Sequence, residues 1–261
     1  MSKNFTVSLP GRSGVRITGE DAGSFLQGLI TNDIEKLQKS PLIYSCLLSP
    51  QGKFQYDFFI LKEKNGFFLD CEGGDRAENL AKRLSIFKLR SKVEIEIIEK
   101  LDVKAGNTPL PKSAFADPRL SELGWRDYSE SLESEDSFDI YDIFRLKYGV
   151  PDGSRDLIVD KSTIIESRLE KLNAVSFKKG CYMGQELTAR MYYRGLAKKH
   201  LYPVETLSKL EKGTEIKTID GKLAGEIRSS HQDYALALLK DTEIENLDPN
   251  VIKPFTCEWM T

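Results

Sequence analysis

The first hundred residues alternate between strand-like and helix-like patterns of apolar residues, and most of the strand-like segments follow one another directly. FTVSL (5–9) and GVRIT (14–18) alternate apolar and polar residues, and KFQYDFFILKEKNGFFLDC (53–71) reads as two strands joined by an Asn-Gly turn. Helical spacing of apolar residues is found in 18–30 and 73–90. Strands paired through hairpins, with helices between the pairs, predict an α+β fold and argue against a doubly wound parallel sheet.

The rest of the chain divides into a further helical part and a strand-rich end. An acidic, polar run at 129–137 predicts a mobile loop, and FDIYDIFRLKYGVPDG (138–153) predicts a helix that stops at its Gly and Pro residues. After Gly195 the pattern changes to short strands separated by turn residues. We therefore predict a larger α+β domain over 1–195, built from two subdomains, and a small all-β domain over 196–261.

The overall composition excludes several classes of protein. Of the 261 residues, 40% are hydrophobic and 30% are charged, and the net charge is -2, so no global basic field would attract nucleic acid or a membrane surface. No run approaches the roughly 18 apolar residues of a membrane-spanning helix. The first residues lack the pattern of a signal or transit peptide. The prediction is a cytoplasmic protein without a direct nucleic-acid or membrane partner.

The cysteines argue against a metal site formed by neighbouring residues. Cys46, Cys71, Cys181 and Cys257 are far apart, no C-x-x-C motif is present, and the chain has only two histidines. In a reducing compartment such scattered cysteines are mostly free thiols, and each is most often buried as a small apolar residue. We therefore predict no tightly bound metal.

Cys181 stands apart because of its neighbours in FKKGCYMGQELTAR (177–190). Gly184 inside a helix would cost about 1 kcal/mol relative to Ala, so the helix is predicted to begin near Gly184, with Cys181 in the loop just before it. The N–H groups of that helix start, together with Lys178 and Lys179, favour a thiolate. We interpret Cys181 as a working thiol tuned by Lys179; the alternative is a small buried residue.

Three charged residues of the same helix share one face. Glu186, Arg190 and Arg194 are spaced four residues apart, which brings their side chains into one row. Arg suits carboxylate groups, so the row would recognise an anion beside the thiol. The alternative is a solvated row of ion pairs that contributes little to stability.

The segment KGCYMGQE (179–186) resembles the K-G-C-Y-x-G-Q-E signature of the YgfZ folate-binding proteins, which are relatives of the glycine-cleavage T-protein, GcvT. The resemblance extends over nearly the whole chain. It implies a GcvT-like α+β folate-binding assembly around a central hole, with a C-terminal β-barrel domain over 196–261 closing one side. Further similar segments are DAGSFLQGLITNDI (21–34), LLSPQGKFQYDFFI (47–60), KLRSKVEIEI (88–97), DPRLSELGWR (117–126) and the region 221–239.

The resemblance also implies a function. Members of the family bind tetrahydrofolate in the central hole and support maturation of certain [4Fe–4S] enzymes, including radical enzymes that modify tRNA. The cysteine that the family is thought to need corresponds to Cys181. The chain is thus expected to be a tetrahydrofolate-binding factor in iron–sulfur cluster assembly or repair rather than a conventional enzyme. Its expected partners are reduced folate and iron–sulfur client enzymes or assembly proteins.

The main rival is a T-protein-like aminomethyltransferase. T-proteins carry two adjacent aspartates in the segment that matches GKFQYDFFI, and the first is catalytic; here the pair is Tyr56-Asp57. The first carboxylate is therefore missing, unless the alignment shifts by one residue and Asp57 takes its role. T-proteins also lack the cysteine of the signature. A docking module with a vestigial cavity is a third possibility.

The resemblance implies several folate contacts. Glu166 corresponds to a family glutamate that contacts the pterin ring, and a carboxylate can accept hydrogen bonds from the N–H groups of that ring. The alternative is that Glu166 is an exposed helical residue. Asn32 and Asp33 would face the hole or cap a helix. Arg119 and Trp125 would line the site or tie a loop to the core. The expected cofactor-binding set also includes Tyr56, Asp57, Tyr182, Gln185, Glu186, Arg190 and Arg194.

Overall fold

A computed structural model describes residues 4–134 and 136–261. The strands are β1 (Thr6–Leu9), β2 (Arg12–Thr18), β3 (Leu42–Leu48), β4 (Phe54–Glu63), β5 (Gly66–Glu72), β6 (Glu94–Ile98), β7 (Val103–Gly106), β8 (Phe115–Ala116), β9 (Trp125–Asp127), β10 (Lys199–Thr206), β11 (Glu215–Lys217), β12 (Leu223–His231), β13 (Tyr234–Lys240) and β14 (Ile252–Pro254). The α-helices are α1 (Ala22–Gln27), α2 (Asp75–Lys88), α3 (Phe138–Lys147), α4 (Gly153–Asp156) and α5 (Gln185–Arg194). No helix in the described residues has the length and apolar character needed to cross a membrane.

The strands form three sheets. Their orders are β3-β4-β5-β2-β6, β1-β7-β9-β8 and β11-β12-β13-β10-β14. Every pairing between named strands is antiparallel, as expected for strands joined mainly by hairpins. The α+β fold class predicted from the sequence is confirmed.

The long strand β4 separates two hydrophobic cores. Its side chains alternate between the two faces of the sheet, so Phe58 and Ile60 pack with α1 and α2 on one side. Phe54 and Phe59 belong to the other core, together with residues of β1, β7 and α3. The sheet is therefore covered on both faces, and the second face is the one that borders the central cavity described below.

Several local predictions are confirmed. The Asn-Gly turn joins β4 to β5, and α2 begins at Asp75 as its acidic first turn suggested. Thr18 and Asp21 have the spacing of a capping box, which predicts a capped start for α1. This prediction is wrong, because Thr18 ends β2 and Asp21 makes no side-chain cap. The carboxylate of Asp21 instead accepts a hydrogen bond from Lys92 N at 2.7 Å. A contact from a distant part of the chain has replaced the local one.

The short strands β7, β8 and β9 were not predicted from the sequence. They are two to four residues long, which is too short to give a clear alternating pattern. They assemble beside β1 into the second sheet. The acidic run expected to be a mobile loop is held at its end by this sheet, because Thr6 N donates to Asp136 Oδ2 at 3.1 Å. Glu135 lies outside the described residues.

The third sheet forms the C-terminal β-barrel domain, which packs against the larger part through polar contacts. Arg145 of α3 donates to Ser229 Oγ in β12 at 3.0 Å, and Leu201 N in β10 donates to Glu166 O at 2.9 Å. α5 ends at Arg194, and β10 begins five residues later at Lys199. The barrel therefore follows directly on the helix that begins after Cys181.

Candidate functional site: an exposed thiol and a central cavity

The loop that carries Cys181 is anchored by the residue two positions before it. Lys179 is buried, and its ammonium group donates to three backbone oxygens, those of Gln27 at 2.7 Å and of Ile30 and Asn32 at 2.8 Å. These carbonyls follow α1, where few intrahelical donors remain. Burial lowers the pKa of Lys179 to about 8, while the three acceptors favour its charged form. Lys179 is therefore a positioning residue for the loop.

A second anchor lies on the other side of Cys181. Met183 N donates to Gly28 O at 3.1 Å, and the Tyr182 ring is buried in the larger core. The backbone is thus fixed immediately before and after Cys181. Its side chain is exposed to solvent. The fold therefore exposes the thiol of Cys181 on a loop whose backbone is anchored on both sides.

The start of α5 requires a glycine. Gly184 has φ +81°, and a Cβ there would lie 2.5 Å from Ser49 O and 2.9 Å from Leu48 Cβ. α5 begins at Gln185, as the sequence predicted, and Gly195 follows its last residue, Arg194. Gly180, by contrast, faces open space. The helix N-terminus and the loop are therefore held by close packing at Gly184 and not at Gly180.

Cys181 differs from the other three cysteines. Cys46 and Cys71 are buried, and burial raises the pKa of Cys71 to about 12. Cys257 is half-buried, and its thiol donates to Lys147 O at 3.4 Å. All four are free thiols. The alternative interpretation of Cys181 as a small buried residue is wrong.

Exposed aromatic residues lie at the far end of α5. Phe177 and Tyr192 stack with ring centroids 4.0 Å apart, and Tyr193 meets both rings edge-on. Tyr193 is 70% exposed, which is unusual for a tyrosine in a folded domain. The predicted row Glu186, Arg190 and Arg194 is also exposed on this helix. An aromatic and basic surface thus adjoins the thiol loop.

A separate cavity of about 350 Å³ lies between the five-stranded sheet β3-β4-β5-β2-β6, the four-stranded sheet β1-β7-β9-β8 and α3. Of the predicted site residues, only Asp57 and Arg119 line it. Its walls also include Phe59, Phe138 and Tyr141. Cys181 is not among the lining residues, so the thiol and the central cavity are two distinct sites.

The arginines of the cavity are held by buried carboxylates. Arg12 and Arg126 both contact Asp70, at 2.6 and 2.7 Å, and Arg119 contacts Asp117 through two nitrogens. Burial alone would raise the pKa of Asp70, but the two arginines bring it below its usual value. The cavity wall is therefore a paired charge network.

The pair Tyr56-Asp57 is divided between the two faces of β4. Tyr56 packs beside the helix-covered core, with Arg76 over its ring at 4.3 Å. Asp57 points into the central cavity and accepts a hydrogen bond from Tyr44 OH at 2.8 Å. Burial raises the pKa of Asp57. The cavity therefore does contain a carboxylate from this strand.

Most other predicted cofactor contacts have structural partners elsewhere. Asn32 is buried and donates to Tyr44 O at 2.7 Å, and Asp33 caps a short helix by accepting from Glu35 N. Trp125 is buried and donates to Thr108 O at 3.0 Å. These contacts match the capping and core-tying alternatives. Tyr182 and Gln185 belong to the thiol loop and the first turn of α5, respectively.

Glu166 also lies apart from the central cavity. Its carboxylate accepts from Thr163 Oγ1 at 2.9 Å and lies 3.7 Å from Lys199 Nζ. It lines a smaller cavity at the junction with the β-barrel. The expected meeting of Glu166 with a ligand in the central cavity is therefore not supported by this arrangement.

Several residues of the central cavity have no local signal in the sequence. Arg12, Glu72, Arg126, Asp152 and Arg155 line it but come from four different parts of the chain. The pairing of β2 with β5 places Arg12 opposite Glu72. The other three residues reach the cavity only through the tertiary packing of β9 and α4.

No group of three or more potential metal-binding side chains occurs in the described residues. Cys181 is therefore a lone thiol within that part of the chain, with no nearby set of protein ligands to complete a metal or cluster site.

The fold is that of a glycine-cleavage aminomethyltransferase. The chain superposes over its whole length on the crystal structure of glycine cleavage system aminomethyltransferase T from Bartonella henselae, with a TM-score of 0.75, 87% of that chain covered and 12% sequence identity. Residues 198–258 match the domain described as the CAF17 C-terminal beta-barrel domain. The predicted GcvT-like assembly with a C-terminal β-barrel is confirmed.

Sequence relatives define the family more narrowly. The chain is 33% identical over 279 residues to the human iron-sulfur cluster assembly factor IBA57, covering 91% of this chain and 78% of that protein. The mouse protein of the same name is 32% identical with the same coverage. The chain belongs to the IBA57 family of iron–sulfur cluster assembly factors. The narrower resemblance to YgfZ proteins stays a prediction.

The cytoplasmic location predicted from the sequence is corrected by these relatives. Both the human and the mouse protein are named as mitochondrial. The prediction relied on the pattern of the first residues alone. A mitochondrial location is indicated instead.

Proposed function

We propose that this protein assists iron–sulfur cluster assembly through the thiol of Cys181 and binds a reduced folate in its central cavity. The observation that carries the proposal is an exposed thiol on a loop anchored by Lys179 and Met183, in a member of the IBA57 family. A thiol that is free of partners and held in place is suited to attack, or to ligate for a short time, a cluster brought by another protein.

The isolation of the thiol supports a role shared with a partner. Biological clusters are held by several thiolates, and the described residues offer no further ligands in a group near Cys181. The remaining ligands would therefore come from the client enzyme or assembly protein that carries the cluster. [4Fe–4S] enzymes that modify tRNA are among the clients that the resemblance to YgfZ proteins suggests.

The surface beside the thiol supports such a contact. Tyr192 and Tyr193 are exposed, Tyr192 stacks on Phe177, and Tyr193 meets both rings edge-on. Arg190 and Arg194 lie on the same helix. Aromatic and arginine side chains are enriched at protein interfaces. A client would cover this surface while its cluster meets Cys181.

The central cavity has the groups that a reduced folate needs. Asp57 offers a carboxylate oxygen, Oδ1, close to the backbone of Gly153. A Cβ added at Gly153 would lie only 3.2 Å from this oxygen. A carboxylate suits the N–H groups of a pterin, and Phe59 and Tyr141 supply aromatic walls. Arg155 pairs with Asp142 and Asp152, and because 39% of its side chain is exposed it would also be able to meet the glutamate tail. Bound folate would supply a one-carbon carrier.

The role of the thiol is tested by cluster delivery with purified protein. An apo [4Fe–4S] client enzyme is reconstituted in the presence of wild type, Cys181→Ser or Cys257→Ser, and the visible absorbance of the cluster is followed. Cys257→Ser is the matched control, since Cys257 is a half-buried thiol outside the loop. We expect faster or more complete reconstitution with wild type and with Cys257→Ser, and no stimulation by Cys181→Ser. Equal stimulation by Cys181→Ser would refute the role of the thiol.

Folate binding is tested separately by calorimetry with tetrahydrofolate. Asp57→Asn is expected to weaken binding by about tenfold, because it removes a charged acceptor inside the cavity. Glu166→Ala is the matched control, since Glu166 lines a different cavity. Undetectable binding to wild type, or equal loss in both variants, would remove folate from the proposal and leave the role of the thiol intact.

A second candidate function is aminomethyl transfer, and one observation favours it. Asp57 faces the central cavity and its pKa is raised by burial, as suits a proton-transferring carboxylate. Turnover of an aminomethyl donor with tetrahydrofolate, abolished by Asp57→Asn and unchanged by Cys181→Ser, would establish this function. Folate binding without turnover would exclude it.

A further inference from the structure

A second polar cavity lies where the β-barrel meets the larger part of the molecule. Its volume is about 210 Å³. One wall is formed by the segment 156–167, and the other by β10, β12 and β13. The backbone hydrogen bond from Leu201 N to Glu166 O ties the two walls together beside it.

Arg228 of β12 is the most unusual residue of this wall. The residue is only 5% exposed, and its Nη2 contacts Glu226 Oε1 at 2.9 Å. Its Nε and Nη1 atoms are buried and have no hydrogen-bond partner among the described residues. A buried guanidinium with unpaired N–H groups is costly, so this site favours an added acceptor.

The charged side chains that line the cavity are equal in number, three cations and three carboxylates. They differ in how far their charges are already used. Asp156 is paired with Arg145 and accepts a hydrogen bond from Ser229 Oγ, and neither partner lines the cavity.

The lysines are less committed to partners. Lys199 meets Glu166 only at 3.7 Å with 46% of its side chain exposed, and Lys161 is exposed at the rim. Both could turn towards a bound anion. The case for a ligand therefore depends on the unpaired N–H groups of Arg228, and the lysines support it.

We propose that this cavity binds a small oxyanion, a phosphate or carboxylate group, with Arg228 as its main ligand and Lys199 and Lys161 at the entrance. Arg is suited to both groups because its N–H donors match their oxygens. A bound anion would contact both walls and so fasten the β-barrel to the larger part. The site is separate from Cys181 and from the central cavity, so its test is independent of the proposed function.

The probes are inorganic phosphate and succinate, titrated into the full chain by calorimetry at constant ionic strength. We expect saturable binding at millimolar concentrations to wild type. Arg228→Gln should weaken binding about tenfold or more, since it removes the innermost charged donor. Lys199→Gln should weaken it by about two- to threefold, as expected for a partly exposed cation.

Lys217→Gln is the matched control. Lys217 also forms a loose 3.7 Å ion pair, with Glu215 in β11, but does not line the cavity. The Lys217→Gln variant should bind phosphate and succinate as wild type does. Binding of phosphate alone or of succinate alone would identify the class of ligand and support the site.

Two outcomes would overturn the proposal. One is the absence of saturable binding of either probe to wild type. The other is binding that Lys199→Gln and Lys217→Gln change equally. Because Lys199 is largely at the surface, its variant gives an answer even if Arg228→Gln fails to fold.

Discussion

The thiol loop and the central cavity use their charged groups in opposite ways. At the cavity wall, Arg12 and Arg126 both pair with the fully buried Asp70, so these charges are committed to the fold. In the loop, the charge of Lys179 is committed to the backbone, while Cys181 is left exposed.

The difference indicates which substitutions should damage stability and which should damage function alone. Where a charged group has buried partners, its removal leaves them unpaired and destabilises the protein. Where the partners are only solvent, removal should leave the fold unchanged. Cys181 falls in the second group, whereas Lys179, two residues before it, falls in the first.

The largest expected effect is in the cavity network. Asp70→Ala leaves Arg12 and Arg126 buried without their common carboxylate, and should lower the free energy of unfolding by about 3–5 kcal/mol. Urea denaturation gives the value. Glu94→Ala, at an exposed position of the same sheet, is the control and should stay within about 0.5 kcal/mol of wild type. Equal losses would contradict the network.

The anchor of the thiol loop comes next. Lys179→Met leaves three backbone carbonyls without their donor, so we expect a loss of about 3 kcal/mol in urea denaturation. Lys178→Met removes the same charge from an exposed neighbour and should have almost no effect. If the two variants are equally stable, the anchor makes no net contribution.

The carboxylate of Glu170, one oxygen of which is buried without a hydrogen-bond partner among the described residues, makes the stability of the fold depend on pH. Burial raises the pKa of Glu170 from 4.5 to about 7, and its Oε2 has no hydrogen-bond partner in the described residues. The stability it contributes is complete below pH 4.5 and is lost as the pH rises through 7.

The unfolding free energy of wild type should therefore fall by about 2–3 kcal/mol between pH 4.5 and about pH 7 because of this carboxylate. In the Glu170→Gln variant this fall should be absent. Urea denaturation across this range measures it. The exposed Glu245→Gln serves as the control and should keep the wild-type pH dependence. A Glu170→Gln profile parallel to wild type would show that the carboxylate is not protonated in the folded state.

The smallest expected effect separates two glycines of the loop. Gly184→Ala must keep a left-handed backbone and avoid Ser49 O, so thermal or urea unfolding should show a loss of about 1–2 kcal/mol. Gly180→Ala has open space around it and should be close to neutral. Equal stabilities would mean that the start of α5 relaxes around an added methyl group.

Strong local patterns made much of the fold predictable from the sequence. The Asn-Gly hairpin between β4 and β5 and the start of α5 at Gln185 depend on neighbouring residues, and both are found as expected. Strand β7 depends on pairing with β1, β9 on pairing with β7, and β8 on pairing with β9, and local sequence does not encode these long-range contacts.

The two candidate sites show the same contrast between local and long-range sequence signals. Cys181 could be identified because the motif around it is continuous in sequence, and its exposure follows from the loop before α5. The central cavity could not be assembled in this way, since Arg12, Glu72 and Arg126 meet only through sheet pairing. Glu166 was expected there on resemblance alone, and the chain carries it instead to the junction with the β-barrel.

The most direct test of the account is the rescue of a [4Fe–4S] enzyme in a strain that lacks this protein. Wild type and Cys181→Ala are expressed at equal levels, and the unfolding free energies of both purified proteins are measured in parallel. We predict that Cys181→Ala stays within about 0.5 kcal/mol of wild type, because its side chain has no buried contacts to lose, yet leaves enzyme activity at the level of the empty strain. Full rescue by Cys181→Ala would contradict the central claim.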